Sequence, residues 1–203
     1  MVFNFEIKRK IFHLYSLIFP LFYLFSSKLL TTSLLLLIVS LVLYLDISRH
    51  YNAKIKGFTD KFFLKLMRTE EESGSFRLSG ASFMMLGFFL SALFFSKGLA
   101  ITAWLVLIVS DALAALVGVR IGTRMYNGKS MEGSTAFLIS AILIGIIGHF
   151  FIGYNTSFLV IIISALITTA IEFYSWKFYM NDNLLIPVAY GFSTIIFNFI
   201  LGI

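Results

Sequence analysis

The chain of 203 residues is 59% hydrophobic and 13% charged, carries 24 phenylalanines and has a mean hydropathy of +0.94, far from the roughly half-apolar, quarter-charged make-up of soluble domains. A hydrocarbon core about 30 Å thick takes about 20 apolar residues per helical crossing, so this length holds several crossings and leaves no room for a soluble domain. The absence of cysteine excludes thiol catalysis, thiolate metal sites and disulfides, and a net charge of +6 in so apolar a chain marks a cytoplasmic face rather than a nucleic-acid ligand.

Lys8-Arg9-Lys10 followed by an apolar run has the outline of a signal peptide. No small-residue cleavage site follows it and a second apolar run begins at once, so the reading is a retained first helix. Apolar runs then fall at Ile11–Phe25, Leu29–Leu45, Ala81–Phe95, Leu99–Val119, Ala136–Ile152, Phe158–Trp176 and Leu184–Ile203. They predict an all-α polytopic membrane bundle of about seven transmembrane helices, forming a single domain over 1–203.

Cations set the expected topology. Lys8, Arg9 and Lys10 precede the first span, and Arg49, Lys54, Lys56, Lys61, Lys65, Arg68 and Arg77 lie between the second and third. Arg120, Arg124 and Lys129 lie between the fourth and fifth, and Lys177 between the sixth and seventh, while the opposite side has only Lys28 and Lys97. That asymmetry predicts a cytoplasmic amino terminus. All ten acids lie on, or toward the end of a span facing, the same side, so chemistry is expected at the cytoplasmic face. Within the longest connection, helical spacing puts Phe58, Phe62, Phe63 and Leu66 on one arc and Lys61, Lys65 and Arg68 on another, which predicts an interfacial amphipathic helix near 57–69.

Four groups of polar residues carry candidate chemistry. In the fourth span Asp111 shares a helical face with Ala114, Ala115, Gly118 and Gly122, and Arg120 points to the opposite side. Small residues so spaced serve helix packing, but a carboxylate at that depth needs a cation, a metal or water. The turn Asn127-Gly128-Lys129-Ser130-Met131-Glu132-Gly133-Ser134 has the parts of a phosphate site: glycines, a lysine, hydroxyls and a helix amino terminus. Glu132 adds an oxygen ligand of the kind Mg2+ prefers, and Ser130 or Ser134 equally suits a helix cap. Glu172 forms a polar stripe with Thr168 and Ser175, either an inter-helix seam or a wet site. Asn181-Asp182-Asn183 with Pro187 reads as a turn with a helix cap. At the amino terminus Glu6, Arg9, Lys10 and His13 share a face, as a phosphate contact or an internal ion pair. His50 with Asp46 and Arg49 reads as a helix-end network.

The ordered set Glu6-x-Lys-Arg-Lys-x-x-His13, Arg68-x-Glu70, Leu78-Ser79-Gly80-Ala81, Ser110-Asp111-Ala112-x-Ala114-Ala115-x-x-Gly118, Lys129-Ser130-x-Glu132-Gly133-Ser134, Glu172 and Asp182-Asn183-x-x-x-Pro187 resembles the CTP-dependent lipid kinases. That family comprises dolichol kinase, phytol kinase and the CTP-using diacylglycerol kinase, and the likeness covers nearly the whole chain. It departs at Val119, where the kinases often carry a second basic residue. The related phosphatidate cytidylyltransferases share the fourth-span motif, but their carboxy-terminal Lys-Asp, His-Gly-Gly and Asp-Arg-x-Asp signature is missing, and Asp182-Asn183 stands in its place.

The resemblance implies transfer of the terminal phosphoryl group of CTP to a membrane lipid alcohol at the cytoplasmic interface, with Mg2+ as cofactor. On that likeness Asp111, Lys129, Glu132 and Asp182 are catalytic, and Asp111, Glu132 and Asp182 hold the metal. Nucleotide and phosphate contacts fall to Gly118, Gly128, Ser130, Gly133, Ser134, Asn183, Arg9, Lys10 and Arg77. Glu172, Glu6, His13, Ser79 and Gly80 support them. A CDP-lipid synthase is the alternative within the same chemistry. A cation- or proton-coupled transporter using Asp111 and Glu172 is the alternative outside it, although the repeat symmetry and broken midplane helices of transporters are not seen.

Overall fold

A computed structural model describes residues 13–57, 78–123, 125–126, 128–175 and 180–202. It is mostly helical. Four helices are long and apolar enough to cross a membrane: α2 (Lys28–Ser48), α4 (Lys97–Ile121), α5 (Met131–Ile152) and α7 (Asp182–Leu201). Three shorter apolar helices, α1 (His13–Phe25), α3 (Gly80–Phe94) and α6 (Phe158–Phe173), complete the set. Each of the seven apolar runs of the sequence thus forms a helix. Between α4 and α5 lies a two-stranded hairpin, β1 (Met125–Tyr126) and β2 (Lys129–Ser130). The expected interfacial helix near 57–69 lies outside the described residues apart from Gly57.

Six of the seven helices open on a short polar cap. Ser27, Ser79, Ser96, Ser130 and Ser157 each accept the backbone N–H three residues on, and Asn181 accepts from Asn183. A cap satisfies one of the amides that the first turn leaves without a partner, which matters more where water is scarce.

Helix α4 is the axis of the molecule. In its most apolar stretch 67% is buried inside the protein, against 22% for α2. Its first half touches α1, α3, α5 and α7, and around it the neighbours run α2 to α3, α3 to α7, α7 to α6, α6 to α5, and α5 to the second half of α4. The aromatic centre joins three of these helices: the Trp104 ring lies 4.7 Å from Phe88 and 5.3 Å from Tyr23, centroid to centroid.

The two cations expected on the outer side are tied to backbone carbonyls. Lys28 Nζ donates to the carbonyl of Phe95 at 2.8 Å, and Lys97 Nζ donates to those of Leu24 and Ser26 at 3.0 and 2.8 Å. Each lysine therefore closes the end of the other's preceding helix, where carbonyls lack partners and the helix dipole is negative.

Candidate functional site

Asp111 is buried just after a local irregularity in α4. Residues Val106–Ser110 form a π-helical turn immediately before it. One extra residue in a turn rotates everything after it by about 100°, and Ser110 and Asp111 at the end of this turn are both buried. Beyond this turn the helix is regular, and Ala112, Ala114 and Gly118 are buried with Asp111 while Arg120 is exposed.

Four charged side chains from separate parts of the chain converge at this end of the bundle. Lys129 projects from β2, and its ammonium lies 2.5 Å from Glu172 Oε1 at the end of α6 and 3.5 Å from Asp182 Oδ2 at the start of α7. It also donates to the backbone carbonyl of Glu172 at 2.6 Å. Asp111 lies within electrostatic reach of the same lysine, and its Oδ2 is 3.7 Å from Nδ1 of His13 at the start of α1. None of His13, Asp111, Glu172 and Asp182 is more than 8% exposed. Burial works against the charge on Lys129, yet the carboxylates of Asp182, Glu172 and Asp111 outweigh it and hold the lysine above its ordinary pKa. Among the described residues the three buried acids share Lys129, and Asp111 also faces His13, in a place where charge is costly.

Two buried oxygens, Oε2 of Glu172 and Oγ of Ser110, the residue before Asp111, have no hydrogen-bond partner among the described residues. The expected hydroxyl stripe on α6 is divided. Thr168 donates to the carbonyl of Ser164 in its own helix, while Glu172 joins the charged group.

Glu132 belongs elsewhere. Its Oε1 accepts the backbone N–H of Thr123 at 3.1 Å and the Thr123 hydroxyl at 2.6 Å. Thr123 lies just past the end of α4, and at a rise of roughly 1.5 Å per residue Asp111 is about 15 Å back along that helix. The metal set Asp111, Glu132 and Asp182 is therefore not brought together. Among the described residues, no three His, Asp or Glu side chains are placed to hold a metal ion.

Most of the glycine-rich turn is explained by packing. Ser130 Oγ caps α5 by accepting the Gly133 N–H at 3.0 Å. A Cβ on Gly118 would meet Ser130 Oγ at 2.9 Å, and one on Gly133 would meet the Ala114 carbonyl oxygen at 2.6 Å. The small face of α4 is thus where α5 begins to pack, with Ser134 buried alongside. Gly128 has φ of +83° with open space around it. It serves the tight hairpin that pairs Tyr126 with Lys129 and so aims the lysine inward.

Asn183 donates from Nδ2 to the carbonyl of Gly80 at 2.9 Å, bringing Ser79 and Gly80 beside α7. Asp46 joins them: its Oδ2 accepts from the Ser79 N–H at 2.5 Å and the Ser82 hydroxyl at 2.7 Å. This extends the expected Asp46–Arg49 network to a second helix, a contact across 33 residues that no local pattern announces. Glu6, Arg9, Lys10 and Arg77 lie outside the described residues.

The fold and site define a helical protein with several helices long and apolar enough to cross a membrane and a buried group of acids around a lysine at one end. The chain belongs to the same family as "Uncharacterized protein RP860" of Rickettsia prowazekii, with which it is 55% identical over 199 residues, 98% of each chain. It is also similar to "Uncharacterized protein MJ1137" of Methanocaldococcus jannaschii, at 30% identity over 171 residues, 83% of this chain and 81% of that one. No protein-family model and no solved structure matches the chain.

Proposed function

We propose that this protein is a CTP-dependent lipid kinase, a multi-pass membrane protein that phosphorylates a lipid alcohol at the cytoplasmic interface. The observation that carries the reading is the convergence of Asp111, Lys129, Glu172 and Asp182, residues that the kinase resemblance singles out from four separate pieces of the chain. Seven crossings with the amino terminus in the cytoplasm fit the cation distribution, since Lys28 and Lys97 on the other side are engaged by carbonyls. The charged group then faces the compartment that holds nucleotide.

In this reading the lipid hydroxyl oxygen attacks the terminal phosphorus of CTP, the bond to the bridging oxygen breaks, and CDP leaves. Asp182 takes the hydroxyl proton. Lys129 exchanges Glu172 for a phosphoryl oxygen, which neutralises charge on the transferring group. Mg2+ enters with CTP as part of the substrate. The donors are all oxygen, and Glu172 Oε2 and Ser110 Oγ, which have no hydrogen-bond partner among the described residues, suit a hard cation. Glu132, held by Thr123, has the separate task of tying the end of α4 to the start of α5.

The by-product separates this reading from a CDP-lipid synthase. Purified protein in detergent, given CTP, Mg2+ and a panel of polyprenols, phytol, diacylglycerol and, as a lipid phosphate, phosphatidate, is expected to release CDP with an alcohol. Release of pyrophosphate would replace the kinase with the synthase.

A further inference from the structure

Asp46 lies outside the charged group, near the end of α2, yet it is as deeply buried as the acids within it. It is 5% exposed and Arg49 is 7% exposed. Its oxygens are divided between two tasks: Oδ1 pairs with Arg49 Nε at 2.8 Å, and Oδ2 takes the Ser79 N–H and the Ser82 hydroxyl at the start of α3. Capping does not require it, because Ser79 Oγ already accepts the Ser82 N–H. Nor does stability, because desolvation offsets most of what a buried ion pair gains and an apolar pair serves as well.

What the carboxylate does fix is the place of the first residues of α3. Gly80, next to Ser79, gives its carbonyl to Asn183 Nδ2 at 2.9 Å. Helices α3 and α7 are in tight contact one step further on, where a Cβ on Gly87 would lie 2.9 Å from the Asn183 carbonyl oxygen. Asn183 follows Asp182, whose carboxylate is 3.5 Å from Lys129. We propose that Asp46, held by Arg49, is a positioning residue: through Ser79, Gly80 and Asn183 it sets where Asp182 meets Lys129. Its consequence for turnover rests on the kinase reading, whereas the geometry it predicts does not.

The test reads Lys129 directly and uses no nucleotide. Purified full-length protein in detergent is treated with an amine-acetylating reagent at one fixed pH, and the rate at each lysine is followed by mass spectrometry. Asp182→Asn sets the scale for a loosened Lys129. Asp46→Asn is expected to speed acetylation of Lys129 by about threefold to tenfold, within the range for loss of one ordinary hydrogen bond. Lys28 and Lys97, at the far end of the bundle, keep their wild-type rates and report general loosening. A Lys129 rate unchanged in Asp46→Asn, or one that rises only in step with Lys28 and Lys97, overturns the proposal. Should Asp46→Asn fail to fold, Ser82→Ala removes one contact and keeps the ion pair. It is expected to give a smaller rise confined to Lys129, and no rise overturns the proposal. A wild type that forms no phosphorylated lipid counts against the kinase reading alone.

Discussion

Replacing Asp111 by Asn removes one of three carboxylates around Lys129 while keeping the shape that lets α4 pack on α5. The fold is expected to survive, seen as an unchanged elution profile in detergent, and turnover of CTP is expected to fall by about a hundredfold or more. Undiminished turnover would take Asp111 out of the site. Lys129 carries a prediction of opposite character. Its pKa is raised in the folded protein by Asp182, Glu172 and Asp111, against burial as the largest opposing influence. Its stabilising ion pairs are therefore fully present below the ordinary lysine value of about 10.4 and are lost as pH rises through the higher folded value. The difference in melting temperature between wild type and Lys129→Met should be constant from neutral pH to about 10 and shrink above it. A difference that persists at higher pH would mean that Lys129 acts through packing of its stem.

At the scale of elements, close approach of helices is the property most exposed to test. Gly133→Ala places a methyl 2.6 Å from the backbone oxygen of Ala114, an atom that moves only with its helix. It should destabilise by about 1–3 kcal/mol, measured as a lowered melting temperature. An unchanged value would show that α4 and α5 are not packed at this glycine. This is also where sequence and structure part. The helices and the separation of Asp111 from Arg120 were legible, because hydrophobic runs and helical spacing are short-range signals. The π-helical turn before Asp111 was not, since a run of Val, Leu and Ile has the same composition in either helix type. The partner of Glu132 was hidden for another reason: Thr123 is an ordinary loop residue until the hairpin folds back over it. Gly118 and Gly133, read as phosphate contacts, also sit where two helices touch, which spacing alone does not distinguish.

For the whole molecule, topology determines whether the charged group can meet nucleotide. The chain contains no cysteine, so single cysteines report sidedness without background. A cysteine at Asn155, exposed between α5 and α6, should react with a membrane-impermeant maleimide in intact cells. One at Met125, exposed in the hairpin, should react only after the membrane is opened; the reverse pattern would invert the protein. That the seven runs form apolar helices, four of them long enough to cross a membrane, was readable from their length and composition. That Lys129, Glu172 and Asp182 meet was not, because their contact depends on how α5, α6 and α7 pack and not on any one of them.

The central claim is transfer of a phosphoryl group from CTP to a lipid hydroxyl, and the position of the label decides it. Parallel reactions with CTP labelled at the terminal or at the first phosphate, with Mg2+, the panel of lipid alcohols and phosphatidate, should move only the terminal label into the lipid fraction. Label from the first phosphate in the lipid, or no label from either, would contradict the account.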